Sequence, residues 1–311
     1  MITLKNITKR FGNRVAVDNL SMELQRGEMC VFLGESGCGK STTLKMINRL
    51  IESDEGEIKI DGKNILDYKP EQLRRSIGYV VQSTGLFPNM NVRENISVVP
   101  RLLKWKEEDI LERVKELIKL VGLDVKYYIN KYPAELSGGE AQRIGVARAL
   151  AANPDIILMD EPFGAVDPLN RANLQNEFLK IQKQLKKTVI FVTHDIDEAM
   201  KMGDRIAIMS KGKLQCFDKP ENIFLNDNEF VQNFLGKESY IRVLSKFEAR
   251  EYMKQDYIKE CKVSIHENTN LKDILAIMIK NGEEVISVKN AQNVVVGNVY
   301  LNDVIHVFNK R

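Results

Sequence analysis

Between an apolar run, Met29 to Leu33, and a helix-patterned run from Ser41 to Leu50 stands Gly34-Glu35-Ser36-Gly37-Cys38-Gly39-Lys40-Ser41. This stretch matches Gly-x-x-x-x-Gly-Lys-Ser/Thr in full, in the strand-to-helix setting that the pattern needs. Glycines let consecutive backbone N–H groups turn inward around a phosphate chain, and the following helix adds its positive end. Lys40 is placed to reach β- and γ-phosphates, and the Ser41 hydroxyl to ligate Mg²⁺. Few features narrow the fold of a chain more: the turn belongs at the end of a buried strand in a mostly parallel sheet.

The rest of the chain agrees. Strands are expected at residues 2–4, 20–24, 29–33, 57–60 and 77–81, at Ile156 to Met159, Val189 to Val192, and Arg205 to Met209. Helices are expected at 107–121, from Ser137 to about Ala152, at 168–184 and at 195–201. Short apolar strands alternating with amphipathic helices predict an α/β domain with a largely parallel core sheet. The strand Ile156-Ile157-Leu158-Met159 ends in Asp160-Glu161. At that position Asp160 suits holding Mg²⁺ directly or through water. Glu161, one residue on, suits orienting or deprotonating a water that attacks a γ-phosphate.

Composition removes other classes. Lys and Arg number 46 and Asp and Glu 43, a net charge of +3, which argues against a protein built to neutralise nucleic-acid phosphates. The longest apolar run, Ile274 to Ile279, falls far short of the roughly 18 residues of a membrane span. Met1-Ile2-Thr3-Leu4-Lys5 lacks the apolar core of a signal peptide. Cys30, Cys38, Cys216 and Cys261 show no Cys-x-x-Cys spacing and read as reduced thiols of a cytoplasmic protein.

Leu136-Ser137-Gly138-Gly139-Glu140-Ala141-Gln142 opens a helix. Ser137 with Glu140 three residues on makes a capping box, and the glycine pair at a helix start makes an anion site; the residues alone leave both readings open. Together, these motifs and their order resemble the ATP-binding subunits of ABC transporters over residues 1 to about 236. Leu136 to Gln142 is similar to the family's signature motif. Gln82, after Tyr79-Val80-Val81, corresponds to the Q-loop glutamine. Ala165-Val166-Asp167 resembles the D-loop, with Val166 where leucine is usual, and His194 resembles the switch histidine. Phe11 stands where the family places an aromatic that stacks on adenine.

The resemblance implies a P-loop ABC ATPase domain over 1–236, with a RecA-like core and a helical subdomain at about 87–145. It implies ATP and Mg²⁺ as cofactors and a homodimer that sandwiches two ATP molecules. In that arrangement Gly34, Ser36, Gly37, Cys38, Gly39, Lys40, Ser41 and Thr42 hold the nucleotide of their own chain. Ser137, Gly138, Gly139 and Asp167 meet the nucleotide of the partner. Gln82 joins Ser41 and Asp160 at the metal and links it to the membrane partner. His194 joins Glu161, Gln82 and Lys40 as a catalytic residue.

One ATPase domain without a membrane span resembles an importer subunit, with two permease subunits, an extracytoplasmic substrate-binding protein and no nucleic acid as partners. The expected place is the cytoplasmic face of the cell membrane, as a peripheral protein. After a helical connector (237–254), residues 255–311 read as strand, helix, two strands and helix. They resemble a single CBS unit, a small α+β (βαββα) module whose Gly297-Asn298-Val299-Tyr300-Leu301-Asn302-Asp303 carries the family's aspartate. Family CBS units come in pairs, so the second would come from the partner subunit. Its role is regulation or dimerisation, with a nucleotide such as cyclic di-AMP as the implied ligand class. Tyr300 departs from the family's Ser or Thr at a phosphate contact. ATPases with such a unit resemble importers of glycine betaine, carnitine or choline. The alternatives are an importer of methionine or another amino acid with an ACT-like sensor, and a soluble factor that uses ATP as a switch.

Overall fold

The β-prone N-terminus folds as a hairpin, in which β1 (Ile2–Phe11) and β2 (Arg14–Leu24) pair antiparallel and set Phe11 directly opposite Arg14. In this computed structural model, residues 2–81, 85–164, 166–223, 226, 228–236, 241, 243–255 and 258–307 are described. Contacts divide the chain into two compact units, Met1–Lys219 and Pro220–Arg311. The boundary expected at residue 236 therefore lies inside the second unit.

In the first unit there follow β3 (Met29–Leu33), α1 (Lys40–Ile47), β4 (Glu55–Ile60), β5 (Lys63–Asn64), α2 (Pro70–Ser76), β6 (Ile77–Val80), α3 (Val92–Leu102), α4 (Glu107–Leu120), α5 (Val125–Tyr128), α6 (Gly138–Leu150), β7 (Ile156–Asp160), α7 (Pro168–Leu185), β8 (Thr188–Thr193), α8 (Ile196–Met202), β9 (Arg205–Ser210) and β10 (Lys213–Asp218). The core sheet has the order β10-β9-β3-β8-β7-β6. All of its pairings are parallel except β10 with β9. Parallel strands are covered on both faces, which is why β3 and β8 are buried at every position. A second sheet, β2-β1-β4-β5, shares one buried cluster with α1 and the core sheet.

The topology places the chemistry. β3, β8 and β7 are parallel neighbours, in register Leu33 with Thr193 and Asp160 with Val192. Their C-terminal ends, and the loops that follow them, therefore open on one edge, where ligands of open α/β sheets bind.

α3, α4 and α6 pack on one another beside this sheet, and α4 buries Ile110, Val114, Leu117 and Ile118 at helical spacing. Segment 85–91 is held by Asn95, which is fully buried. Its Oδ1 accepts from Phe87 N at 2.8 Å, and its Nδ2 donates to the carbonyls of Phe87, Met90 and Asn91 at 3.2, 2.8 and 3.1 Å. Asn95→Leu keeps the branched shape and strands those groups, and should cost about 2–4 kcal/mol. Urea unfolding followed on Trp105, the single tryptophan, reads that loss directly.

The second unit holds a sheet in the order β11-β12-β13, from β11 (Ser264–His266), β12 (Val285–Lys289) and β13 (Val295–Tyr300). β11 and β12 are parallel and β12 and β13 antiparallel, with helices Leu271–Asn281 and Leu301–Ile305 completing the expected strand-helix-strand-strand-helix order. The connector is described only in part. Among the described residues of 237–254, Ile241 and Val243 are helical, followed by a turn at Leu244–Lys246 and the short helix Ala249–Tyr252. Leu244, Phe247 and Ala249 are buried, and Leu271 N–H donates to the Phe247 carbonyl at 2.9 Å. Apolar anchoring helps to organise this segment. Lys254 also exchanges backbone hydrogen bonds with Asn298, and its Nζ lies 2.8 Å from the Asp303 carboxylate, which is 7% exposed. Among the described residues no helix is long and apolar enough to cross a membrane.

Candidate active site

The loop after β3 is tight because backbone fills the space where side chains would stand. A Cβ on Gly39, at φ +109°, would lie 2.5 Å from the Ala16 carbonyl oxygen. The turn delivers Lys40 into the interior at 4% exposure. Its Nζ donates to the carbonyls of Gly34 and Glu35 at 2.7 and 2.8 Å and lies 3.7 Å from Cys38 Sγ. Among the described residues no carboxylate pairs with it. A buried ammonium without a counter-charge is costly, so the pocket favours an anion beside it.

Next in sequence, Ser41 Oγ donates to Asp160 Oδ1 at 2.7 Å. This brings residues 119 positions apart into direct contact at the ends of β3 and β7. Hydroxyl and carboxylate oxygens form a hard donor set suited to Mg²⁺ and not to a softer metal. Burial, with the Asp160 charge second, pushes the Tyr79 phenol up to about 12, so that neighbour stays neutral.

Glu161 adopts φ +45°, an uncommon conformation for a residue with a side chain. Two hydrogen bonds hold it there: its N–H donates to the Val192 carbonyl at 3.0 Å, and Gly164 N–H donates to its own carbonyl at 3.1 Å. Backbone held so far from the common regions is concentrated at functional sites. His194 Nδ1 lies 3.4 Å from Glu161 Oε1.

A cleft of about 450 Å³ is lined by Phe11, Ser36, Gly37, Gly39, Lys40, Ser41, Thr42 and Glu161 among others; Asp160 and His194 touch it only through Ser41 and Glu161. Phe11 is half exposed at its mouth. Gly34 and Cys38 belong to the same loop, with Cys38 buried. Ser137, Gly138, Gly139 and Asp167 are elsewhere. They line a separate cleft of about 540 Å³ at the N-terminus of α6. The Lys40 and Ser137 groups thus line two separate clefts of one chain. Gln82 lies outside the described residues.

Sequence reasoning missed three neighbours. Arg14 faces Phe11 across the β1–β2 hairpin, donates from Nη2 to the Gly37 carbonyl at 3.0 Å and lines the first cleft. Hairpin register was the signal that could have found it. Arg171 donates from Nη2 to the Val166 carbonyl at 3.0 Å and sets Nη1 3.8 Å from Asp195 Oδ2. It joins the loop carrying Asp167 to the residue after His194, a tertiary contact that no local pattern announces. The third, Tyr128, reaches Glu140 from α5.

A family profile described as ABC transporter matches residues 17–164. The chain is similar to the choline transport ATP-binding protein OpuBA of Bacillus subtilis (strain 168), with 48% identity over 302 residues, covering 96% of this chain and 78% of that protein. It is 41% identical over 307 residues to the glycine betaine uptake system ATP-binding protein YehX of Escherichia coli (strain K12), covering 98% of this chain and 99% of that protein. Among solved structures it is similar to the ATP-binding cassette MJ0796 in a dimeric post-hydrolysis state bound to ADP and Pi. That match has a TM-score of 0.63 and 35% identity, and covers 70% of this chain and 98% of the other.

Proposed function

The chain belongs to the ABC transporter family as an ATP-binding subunit, and from that premise we propose that it powers an importer of quaternary-amine osmoprotectants, of the glycine betaine, carnitine and choline class. ATP with Mg²⁺ is its nucleotide, and hydrolysis is its reaction. The observation that carries the ATPase reading is the buried Lys40 ammonium with no carboxylate partner among the described residues, next in sequence to Ser41 and its contact with Asp160. Relatives named for quaternary amines support the substrate class and leave the methionine alternative without support.

In this reading, Phe11 stacks on the adenine and the loop from Gly34 to Thr42 wraps the phosphates with its N–H groups. Lys40 exchanges its carbonyl contacts for phosphate oxygens. Ser41 and Asp160, with Gln82, hold the metal, which neutralises charge on the β- and γ-phosphates when bound. Glu161, locked by its backbone bonds, orients the attacking water and accepts its proton. His194, at 3.4 Å from that carboxylate, keeps it aimed and contacts the γ-phosphate. Ser137, Gly138, Gly139 and Asp167 serve the nucleotide of a second copy. Two clefts on one chain, each with half of these groups, support that sandwich.

Closure on ATP and reopening after hydrolysis would bias a pair of permease subunits between two states. A groove of about 340 Å³, lined by Phe87, Val98, Val99, Arg75 and Arg148 among others, is a suitable seat for a permease segment. The subunit then sits on the cytoplasmic face of the membrane, and an extracytoplasmic binding protein selects the solute. For the second unit we retain the CBS-like reading, with a second copy completing the pair. Lys254 already occupies the Asp303 carboxylate, which favours dimerisation over nucleotide binding there.

The deciding experiment is uptake of labelled glycine betaine, carnitine, choline and methionine. Cells lacking the gene are rescued with wild type or Glu161→Gln at low and high osmolarity. Quaternary-amine uptake is expected only with wild type, and more strongly at high osmolarity. Rescue of methionine uptake alone would overturn the substrate class.

A further inference from the structure

Ser137 caps α6 in a reciprocal box: Glu140 N–H donates to Ser137 Oγ at 3.3 Å, and Ser137 N–H donates to Glu140 Oε2 at 2.8 Å. The other carboxylate oxygen has its own donor. Tyr128, the last residue of α5, gives its hydroxyl to Glu140 Oε1 at 2.5 Å. The Tyr128 ring is fixed by an edge contact with Tyr127, with centroids 4.9 Å apart, and by Lys131 Nζ 4.9 Å from its own centroid. That hydrogen bond is the largest influence holding the Glu140 carboxyl below its usual range, and it pushes the Tyr128 phenol up to about 12.

Charge makes this arrangement matter. The cleft that contains Ser137 is also lined by Glu140 and Asp167, both acids, and by Arg143. Arg143 is committed elsewhere, with Nη2 3.0 Å from Glu177 and Nη1 donating to the Val121 carbonyl. A polyphosphate entering this cleft meets carboxylates. Glu140 with a vacant oxygen would repel it, and would also compete for the proton of the Ser137 hydroxyl, whose oxygen accepts from the Glu140 N–H.

We propose that Tyr128 is a positioning residue for ATP-driven dimerisation: its hydroxyl occupies the Glu140 carboxylate and leaves Ser137 to donate to the terminal phosphate of the partner's nucleotide. The proposal rests on the reading that the Ser137 cleft meets that nucleotide. It explains how a carboxylate is accommodated at a phosphate-facing turn, because both of its oxygens are engaged by donors of the chain itself. Tyr128 touches no substrate and acts only through Glu140.

The test uses full-length protein in a Glu161→Gln background and reads the ATP concentration for half-maximal dimer formation by sedimentation. Tyr128→Phe keeps the ring and removes the donor, and should raise that concentration about tenfold. Binding of a fluorescent ATP analogue to dilute monomer should stay within about twofold, because Tyr128 does not line the chain's own Lys40 cleft. Adding Glu140→Gln, which removes the charge and keeps a capping side chain, should bring the Tyr128→Phe variant back to within about twofold of Glu140→Gln alone. A general loss of folding in Tyr128→Phe would not be rescued in this way. Ser137→Arg, run in parallel, should block ATP-driven dimerisation. If Ser137→Arg still dimerises, the reading of the cleft falls and the proposal with it. If Ser137→Arg is blocked while Tyr128→Phe behaves like its parent, or is not rescued by Glu140→Gln, only the role of Tyr128 is overturned.

Discussion

Replacing Glu161 with glutamine is expected to lower steady-state ATP turnover about 10²–10³-fold, with nucleotide affinity within about twofold of wild type. The amide is nearly isosteric and can keep the contact now made with His194. It cannot accept a proton from water. The position is set by the backbone bonds at Val192 and Gly164, which the substitution leaves untouched, so the geometry should survive. Single-turnover hydrolysis and equilibrium binding of a labelled nucleotide separate the two effects. Turnover equal to wild type would show that another group takes the proton. A matching loss of affinity would show that the side chain holds the loop and not the water.

The second large effect is structural in origin. Gly39→Ala should abolish measurable ATP binding and cost about 3 kcal/mol of stability or more. At φ +109° an L side chain is strained, and its Cβ would fall 2.5 Å from the Ala16 carbonyl, which is backbone of β2 and cannot swing aside. The loop or the strand must move, and Lys40 moves with the loop. For a unit of this size the expected drop in melting temperature is roughly 6–12 °C. Gly62→Ala is the matched control. Its φ is also positive, at +80°, but no atom lies within 4 Å of the added Cβ. It should lose about 1 kcal/mol and bind nucleotide normally. Equal damage in both variants would mean that backbone strain, not the collision, sets the cost.

The strands that build the core sheet were readable because burial on both faces writes them as short, unbroken apolar runs. Met29 to Leu33 and Val189 to Val192 are examples, each found within a residue of its observed ends. β10, the antiparallel edge strand, was not anticipated: Lys-Leu-Gln-Cys-Phe-Asp is half polar and only partly buried, with its partner on one side alone. α3 was missed because Pro100 sits inside it, where local rules predict a break. At the site, the loop and the strand-end acids could be read from local pattern and spacing. Their contact, Ser41 to Asp160, follows from strand order, which no local signal carries. Arg14, Tyr128 and Arg171 were invisible for the same reason: each acts on a residue brought near by tertiary packing.

The separation of the Lys40 and Ser137 clefts bears on inheritance as much as on catalysis. If two copies form the proposed symmetric sandwich, each complete site draws the Lys40 cleft from one copy and the Ser137 cleft from the other. When one allele is damaged at Lys40 and a second at Ser137, a mixed dimer gathers both lesions into one site and leaves its other site wholly intact. Under that proposal, two alleles that are each null alone would complement one another within a single gene. Two alleles damaged in the same cleft cannot, because every dimer they form has a lesion in both sites.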